Sequence, residues 1–183
     1  MSNEVFYGDF DLIPPTLPAE SHIEIQFQPI DLITFWRRCG LTANFAATFF
    51  SYCYQNNLNA ENSISTILNE LLENAAKFSK ARSGKIDLVM KQHGTVLLIE
   101  VKNYVSDMLR DNFEKVVKNL ITGNIDEKYF AHLESKQDGD PQSGIGYLMM
   151  YKDYPVRFGY RLKRIEADNN EITVRAFLNS EEI

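Results

Sequence analysis

The sequence predicts an α+β fold, a two-layer sandwich in which helices cover one face of a mixed, mostly antiparallel sheet. Two segments in its middle and at its end alternate apolar and polar residues around short turns, as β-hairpins do. The stretches before and between the hairpins carry apolar residues at helical spacing instead. No segment alternates as strand, helix and strand, so a parallel sheet is not expected.

The first part of the chain is predicted to hold one strand and two helices. Residues 1–21 contain three closely spaced prolines and are expected to form an irregular lead-in. Strict alternation over 22–28 predicts a strand. Residues 31–57 are apolar at helical spacing on both sides of Gly40, which predicts two helices separated at that glycine.

The remaining elements follow from the same signals. A helix is predicted over 63–80, because its apolar residues recur at three- and four-residue steps. A helix over 106–123 has Ser106 as its N-cap and Gly123 at its end. Further helices are expected within 126–136 and from 147 to 154, on either side of a polar linker, 137–146. The two hairpins are predicted at these ranges: 85–92 with 95–103, and 156–165 with 171–178.

Length and charge bound the class of protein. A chain of 183 residues suits one domain, here 1–183, with a full core. The net charge of −6 argues against non-specific nucleic-acid binding, which needs many basic residues. No apolar run approaches the length of a membrane span, and the N-terminus lacks the pattern of a signal peptide. Two cysteines without metal-ligand spacing fit a reducing cytoplasm.

The functional prediction depends on the helix over 63–80. Its apolar stripe leaves Glu70 and Asn74 one turn apart on a polar face. One interpretation is that this face is only solvated, since amphipathic helices commonly have a solvated polar face. A nucleotide site is the other reading. Asn74 would then offer a side-chain oxygen to a metal ion, and Glu70 would accept a proton from an attacking hydroxyl.

Two further signals extend the nucleotide reading. Lys77 lies nearly one turn beyond Asn74, where it would meet a phosphate. The segment "SGIG" contains Gly144 and Gly146 just before a predicted helix. Glycines let the backbone approach an anion closely, and a helix N-terminus favours negative charge.

The sequence resembles the histidine-kinase-like (GHKL) ATPase superfamily. "LNELLENAAKFS" looks like the family's N-box, "SGIGYLMM" looks like its glycine-rich lid motif, and the strand "LLIEVKN" stands where its adenine box is expected. The likeness to stand-alone anti-sigma-factor serine kinases is greater than to full histidine kinases. It is greatest to a little-characterised family of bacterial, cyanobacterial-type regulators. This resemblance implies a Bergerat-type ATPase fold that binds ATP and Mg²⁺.

The resemblance also assigns roles to individual residues. It puts Glu70 at the catalytic carboxylate, Asn74 at the magnesium ligand and Lys77 beside a phosphate. Gly144 and Gly146 fall on the lid glycines. Asn103 falls where the family has the aspartate that recognises adenine, and Val105 and Asp107 replace the glycines that should follow.

Two functions follow from the resemblance. The first is a cytoplasmic, ATP-binding regulator that acts on a partner in a signalling switch, with an anti-sigma-antagonist-like or sigma-factor-like protein as the partner. Whether it transfers a phosphoryl group to that partner is left open, as is a homodimer. The second is an interaction module of the same fold that has lost the nucleotide, which the substitutions around Asn103 favour.

Overall fold

A computed structural model describes residues 3–54, 58–80, 84–134 and 145–182 of the chain. Six strands and six α-helices are found in these ranges. The strands are β1 Glu4–Gly8, β2 Ser21–Phe27, β3 Ile86–His93, β4 Val96–Val105, β5 Val156–Glu166 and β6 Asn169–Asn179. The helices are α1 Pro29–Thr34, α2 Arg37–Ser51, α3 Leu58–Phe78, α4 Asp107–Ile121, α5 Ile125–Glu134 and α6 Ile145–Asp153.

The strands form one open sheet in the order β1-β5-β6-β4-β3-β2. Every strand pair in the described part of the chain is antiparallel, so the sheet is not mixed as expected. Two of the five pairs, β3–β4 and β5–β6, are hairpins, and strands joined by a hairpin pair antiparallel. The prediction of helices packed on a sheet is confirmed, and the sheet differs from the prediction in being wholly antiparallel within the described residues.

The helices lie on one face of this sheet. Alternate residues of the strands, such as Met90, Ile99 and Val174, point into one apolar core shared with α2, α3, α4 and α6. The apolar stripe of α3 faces that core, and Leu68, Leu71 and Leu72 are buried as its periodicity predicts. The expected two-layer arrangement is confirmed.

The opposite face of the sheet is polar. Arg175 lies across it, with its Nε 2.6 Å from Glu100 Oε2 and its guanidinium carbon 4.0 Å from the centre of the Phe10 ring. Arg161 pairs with Glu171 at 2.8 Å on the same face. Charged side chains and the Phe10 segment thus take the place of a second helical layer.

Two local predictions are wrong. The lead-in over 1–21 contains β1, which pairs with β5 from Glu4↔Lys163 to Gly8↔Gly159. The open edge of β5 supplies the hydrogen-bonding partner that makes this short segment extended. Gly40 does not separate two helices, because α2 runs through it and the break lies at Phe35 and Trp36. Packing of α2 on α3 outweighs the low helix propensity of a single glycine.

Other boundaries agree closely with the sequence. Ser106 caps α4, where its Oγ accepts a hydrogen bond from Leu109 N at 3.3 Å, and Gly123 follows the helix with a positive φ of 73°. The linker over 137–146 lies outside the described residues up to 144, and Ile145 and Gly146 already belong to α6. Within the described ranges, no helix is long and apolar enough to cross a membrane.

Candidate functional site

A cavity of about 160 Å³ lies between α3, α4, α6 and the middle of the sheet. Among the described residues, the side chains around it are mostly apolar and none is charged. They are Leu71, Asn74, Ala75, Phe78, Val101, Asn103, Val105, Leu109, Asn112, Phe113, Val116, Tyr147, Ile172 and Val174. An apolar wall with a few polar groups is typical of a small-molecule site.

Asn74 and Asn103 line this cavity together, as the nucleotide reading predicts. Asn74 comes from the polar side of α3, and Asn103 from the inward-facing positions of β4. Nδ2 of Asn74 is buried and has no hydrogen-bond partner among the described residues. A buried amide without a partner is costly, which indicates a position where a ligand atom would be bound. Rotation of the amide by half a turn would offer Oδ1 at the same place.

Asn103 has a structural task as well. Its side chain is 6% exposed, and its Nδ2 donates to the carbonyl oxygen of Ala75 at 3.3 Å and to Ser79 Oγ at 3.1 Å. Ser79 Oγ in turn donates to the Ala75 carbonyl at 2.6 Å. The amide nitrogen of Asn103 therefore ties β4 to the last turns of α3, and an aspartate could not make these donations.

Glu70 and Asn74 converge on the start of α6. A Cβ added to Gly146 would lie 2.5 Å from Glu70 Oε2 and 3.8 Å from Asn74 Nδ2. Only a residue without a side chain leaves room for the Glu70 carboxylate at this point, which is the close approach that glycine permits. Three of the predicted site residues, Glu70, Asn74 and Gly146, are thus brought together.

Burial changes the acidity of groups at this junction. The pKa of Glu70 is raised, first because burial disfavours its charged form and second because the negative charge of Glu73 is near. Burial also raises the pKa of Tyr147 well above its ordinary value, with smaller contributions from Tyr151 and Glu70. Glu70 is therefore a stronger base than a surface carboxylate, and Tyr147 stays neutral at physiological pH.

Lys77 and Gly144 are not part of this arrangement as described. Lys77 is exposed, its ammonium lies 5.1 Å from the centre of the Phe78 ring, and it is absent from the cavity wall. Gly144 lies outside the described residues. Their roles beside a phosphate stay predictions. In the described ranges, no three His, Cys, Asp or Glu side chains gather as a metal site.

The residues that replace the expected glycines are also accounted for. Val105 contributes its side chain to the cavity wall. Asp107 instead starts α4, where its Oδ1 accepts a hydrogen bond from Asn170 Nδ2 at 2.7 Å. An engineered apolar cavity of about 150 Å³ in another protein holds benzene. The space found here is thus about that of one aromatic ring, and a two-ring purine would need α4 or α6 to move outward.

The walls that α4 and α6 contribute to the cavity were not predicted from the sequence. Phe113 and Tyr147 contact each other with ring centres 6.0 Å apart, and Tyr147 also contacts Tyr160 at 6.1 Å. The periodic apolar positions of α4, at Leu109, Phe113 and Val116, were the available signal, because they predict which face of that helix turns inward. Nothing local in the sequence indicates that α6 lies beside the same face.

Comparison with known proteins supports the fold. No known protein family matches this chain, and no protein of curated function matches it. Among solved structures, it is similar to a chain in the crystal structure of the SiaB–SiaC complex from Pseudomonas aeruginosa, with a TM-score of 0.62. The two are 11% identical, and the match covers 88% of this chain and 92% of that one. At this identity the likeness shows a shared fold.

Proposed function

We propose that this protein is a cytoplasmic regulator that binds a protein partner and holds an adenine nucleotide in the cavity between α3, α4 and α6. One observation carries the proposal. Glu70 and Asn74 converge on Gly146 beside an apolar cavity that also contains Asn103. These four residues come from three separate elements, and the resemblance to histidine-kinase-like ATPases assigns all four to one site.

The protein partner is supported by the structural comparison. The similar chain comes from a complex of two proteins, SiaB and SiaC. A regulator of this kind would recognise an anti-sigma-antagonist-like or sigma-factor-like protein, which is the partner class that the anti-sigma kinase resemblance implies. Binding would then depend on nucleotide, because α6 forms both a wall of the cavity and part of the outer surface.

The residues suit separate chemical tasks. Bound Mg-ATP would supply a phosphoryl group for transfer to a Ser or Thr hydroxyl of the partner. Glu70 would accept the proton of that hydroxyl, since burial and Glu73 raise its pKa towards neutrality. The unpartnered Nδ2 of Asn74 would donate a hydrogen bond to a phosphate oxygen, and with the amide turned over its Oδ1 would bind the metal instead. The apolar wall would shield the adenine ring from water.

Thermal unfolding with and without Mg-ATP tests nucleotide binding directly. A ligand at a hundred times its Kd stabilises the folded state by about 2.7 kcal/mol. We expect this gain for the parent protein and its loss in Asn74→Ala. Asn62→Ala is the matched control, because Asn62 is exposed on the same helix and lies outside the cavity wall. Equal stabilisation of parent and Asn74→Ala would contradict the proposed site.

A second candidate function is an interaction module of the same fold that binds no nucleotide. Two observations favour it. The cavity wall has no charged side chain in the part of the chain that the structure describes, and the amide nitrogen of Asn103 is already hydrogen-bonded to α3 and Ser79. This candidate predicts no thermal shift with Mg-ATP in the parent. It also predicts that a partner captured from the source cell binds parent and Asn74→Ala equally, with or without ATP.

A further inference from the structure

The first two helices and the residues next to them carry many exposed apolar side chains, called here together the α1–α2 face. Eight bulky apolar side chains on it each keep between 45% and 70% of their surface open to solvent. They are Ile30, Ile33, Phe35, Trp36, Leu41, Phe45, Phe49 and Tyr52. A monomeric soluble protein rarely exposes an apolar patch larger than a few hundred Å², so a face of this kind is usually covered.

Helix α2 is apolar on two opposite sides. The side towards α3 carries the buried residues Cys39, Ala43, Ala46, Ala47 and Phe50. The outer side carries Leu41, Phe45 and Phe49 at four-residue steps, which places them in one row along the helix. An apolar side of a helix is normally packed against another apolar surface. The core needs only the inner side, so the outer row is available for another contact.

The size of the α1–α2 face matches a stable interface. A fully buried aromatic side chain removes about 150–250 Å² from water. Eight large side chains that are each about half exposed therefore present roughly 800 Å², which is about the area that one partner buries in a standard protein interface. Two such faces together would reach roughly 1,600 Å².

The charges on this face favour a second copy of the chain. Between Pro29 and Tyr52 the charged residues are Asp31, Arg37 and Arg38. Arg38 is 3.9 Å from Asp31 and stacks over Phe35 at 4.8 Å, so only Arg37 adds unbalanced charge. A two-fold interface sets each patch against itself, and like charges would repel across it. An almost neutral apolar face satisfies that condition and offers little to select a strongly charged partner.

Polar groups beside the apolar row are already paired within the chain. Thr48 Oγ1 donates to Glu61 Oε1 at 2.6 Å, and Asn44 Oδ1 accepts from Ser65 Oγ at 2.7 Å. Covering the face would therefore leave these atoms with partners, and the desolvation penalty of an unmet hydrogen bond is reduced. The longest stretch outside the described ranges, 135–144, holds no large apolar residue.

We infer that the α1–α2 face is a homodimer interface in which α2 of one protomer packs against α2 of the other about a two-fold axis. Leu41, Phe45 and Phe49 supply the central row. Rows at four-residue steps interdigitate when the two helices cross at about −50°. The inference is independent of nucleotide binding, because none of these side chains lines the cavity.

The test uses the unmodified chain first. Trp36 is the only tryptophan, and it lies in the α1–α2 face with 66% of its surface open in the single chain. Sedimentation over a dilution series should show a mass twice that of one chain at high concentration. The Trp36 emission should shift to longer wavelength as the dimer dissociates, because the indole then enters water. A parent that is monomeric throughout the series, with constant Trp36 emission, would overturn the inference.

A variant and a control localise the contact. Leu41→Glu with Phe45→Glu puts two charges of each protomer into the central row, and we expect dimerisation at least about 100-fold weaker, since interface centres are sensitive to such changes. Met108→Glu is the control, because Met108 is 68% exposed on α4, away from this face. Circular dichroism checks that both variants fold. A folded double variant that dimerises like the control would also overturn the inference.

Discussion

The carboxylate of Glu70 occupies space that only glycine leaves open at position 146, with Oε2 2.5 Å from where a Cβ would stand. The two residues belong to α3 and α6, which are 76 positions apart at this contact. Their closeness holds a half-buried carboxylate against the first turn of α6.

Gly146→Ala should move Glu70 without unfolding the protein. The atom in the way is the end of a flexible side chain, and alanine favours a helix by up to about 1 kcal/mol over glycine. We expect the free energy of unfolding to change by less than about 1 kcal/mol. The displaced carboxylate should be more exposed, so the pKa of Glu70 should fall towards its ordinary value. Urea unfolding and an NMR titration of the Glu70 carboxyl measure the two effects. A large loss of stability would mean that Glu70 cannot move.

Glu70→Gln should make the protein more stable at neutral pH. Burial and Glu73 raise the pKa of Glu70 in the folded state above its unfolded value. The folded state therefore binds the proton more tightly, and stability falls as pH rises from the ordinary value of 4.5 through the raised pKa. Glutamine does not ionise, so the variant does not lose stability in this way as the pH rises. The advantage of the variant should be full above the raised pKa and should shrink as pH falls below it.

Glu73→Gln is the matched control for this pH profile. Glu73 is exposed and contributes only the second cause of the shift at Glu70. Its removal should lower the pKa of Glu70 partway, and the gain in stability should be smaller than for Glu70→Gln. Urea unfolding from about pH 4, close to the ordinary carboxyl pKa, up to about pH 8 measures both variants. Identical pH profiles for parent and Glu70→Gln would show that the Glu70 carboxylate is not buried.

Asn103→Asp should destabilise the protein, although the ATPases that the sequence resembles carry aspartate at the corresponding position. The Nδ2 of Asn103 donates to the Ala75 carbonyl and to Ser79 Oγ, and a carboxylate oxygen would face the Ala75 oxygen instead. Leaving buried polar groups unpaired costs about 1–3 kcal/mol, which urea unfolding at neutral pH would detect. Asn112→Asp is the control, because Asn112 also lines the cavity but is exposed. Equal stabilities of the two variants would contradict the tie between β4 and α3.

Periodic elements could be predicted from the sequence, and contacts between distant segments could not. The apolar steps of α3 predict its buried side because they depend only on helix geometry. The strand β1 was missed because its partner, β5, lies more than 150 positions further along the chain. At Gly40, a local helix-breaking signal was overruled by packing on α3, which no local pattern reveals.

The same distinction applies to the candidate site, where some features were predictable from the sequence and contacts between distant segments were not. The resemblance brought Asn74 and Asn103 to one place, and the structure has both in the wall of one cavity. The bond from Asn103 to Ser79 depends on the distance between β4 and α3, so it was not predictable from residue types. The α1–α2 face shows a further limit of prediction from periodicity. Both sides of α2 are apolar, so periodicity alone does not say which side meets solvent.

Two glycines should respond in opposite directions to alanine, and the contrast tests how the N-terminal segment is held. A Cβ on Gly159 would lie 2.3 Å from Phe10 Cα and 2.4 Å from Phe10 N, so backbone must move. That segment is fixed by Asp9 N donating to Phe158 O at 2.9 Å and by the Asp9–Arg157 pair at 2.9 Å. We expect Gly159→Ala to lower the free energy of unfolding by about 1–3 kcal/mol, as overpacking does.

Gly40→Ala should instead raise the free energy of unfolding by about 0.5–1 kcal/mol, because Gly40 lies inside α2 and glycine is a poorer helix former than alanine. The nearest atom to its added Cβ is Asn69 Oδ1 at 3.8 Å, an ordinary contact. Urea unfolding of both variants beside the parent measures the contrast, and a Gly159→Ala protein as stable as the parent would show that the Asp9–Phe10 backbone does not lie against β5.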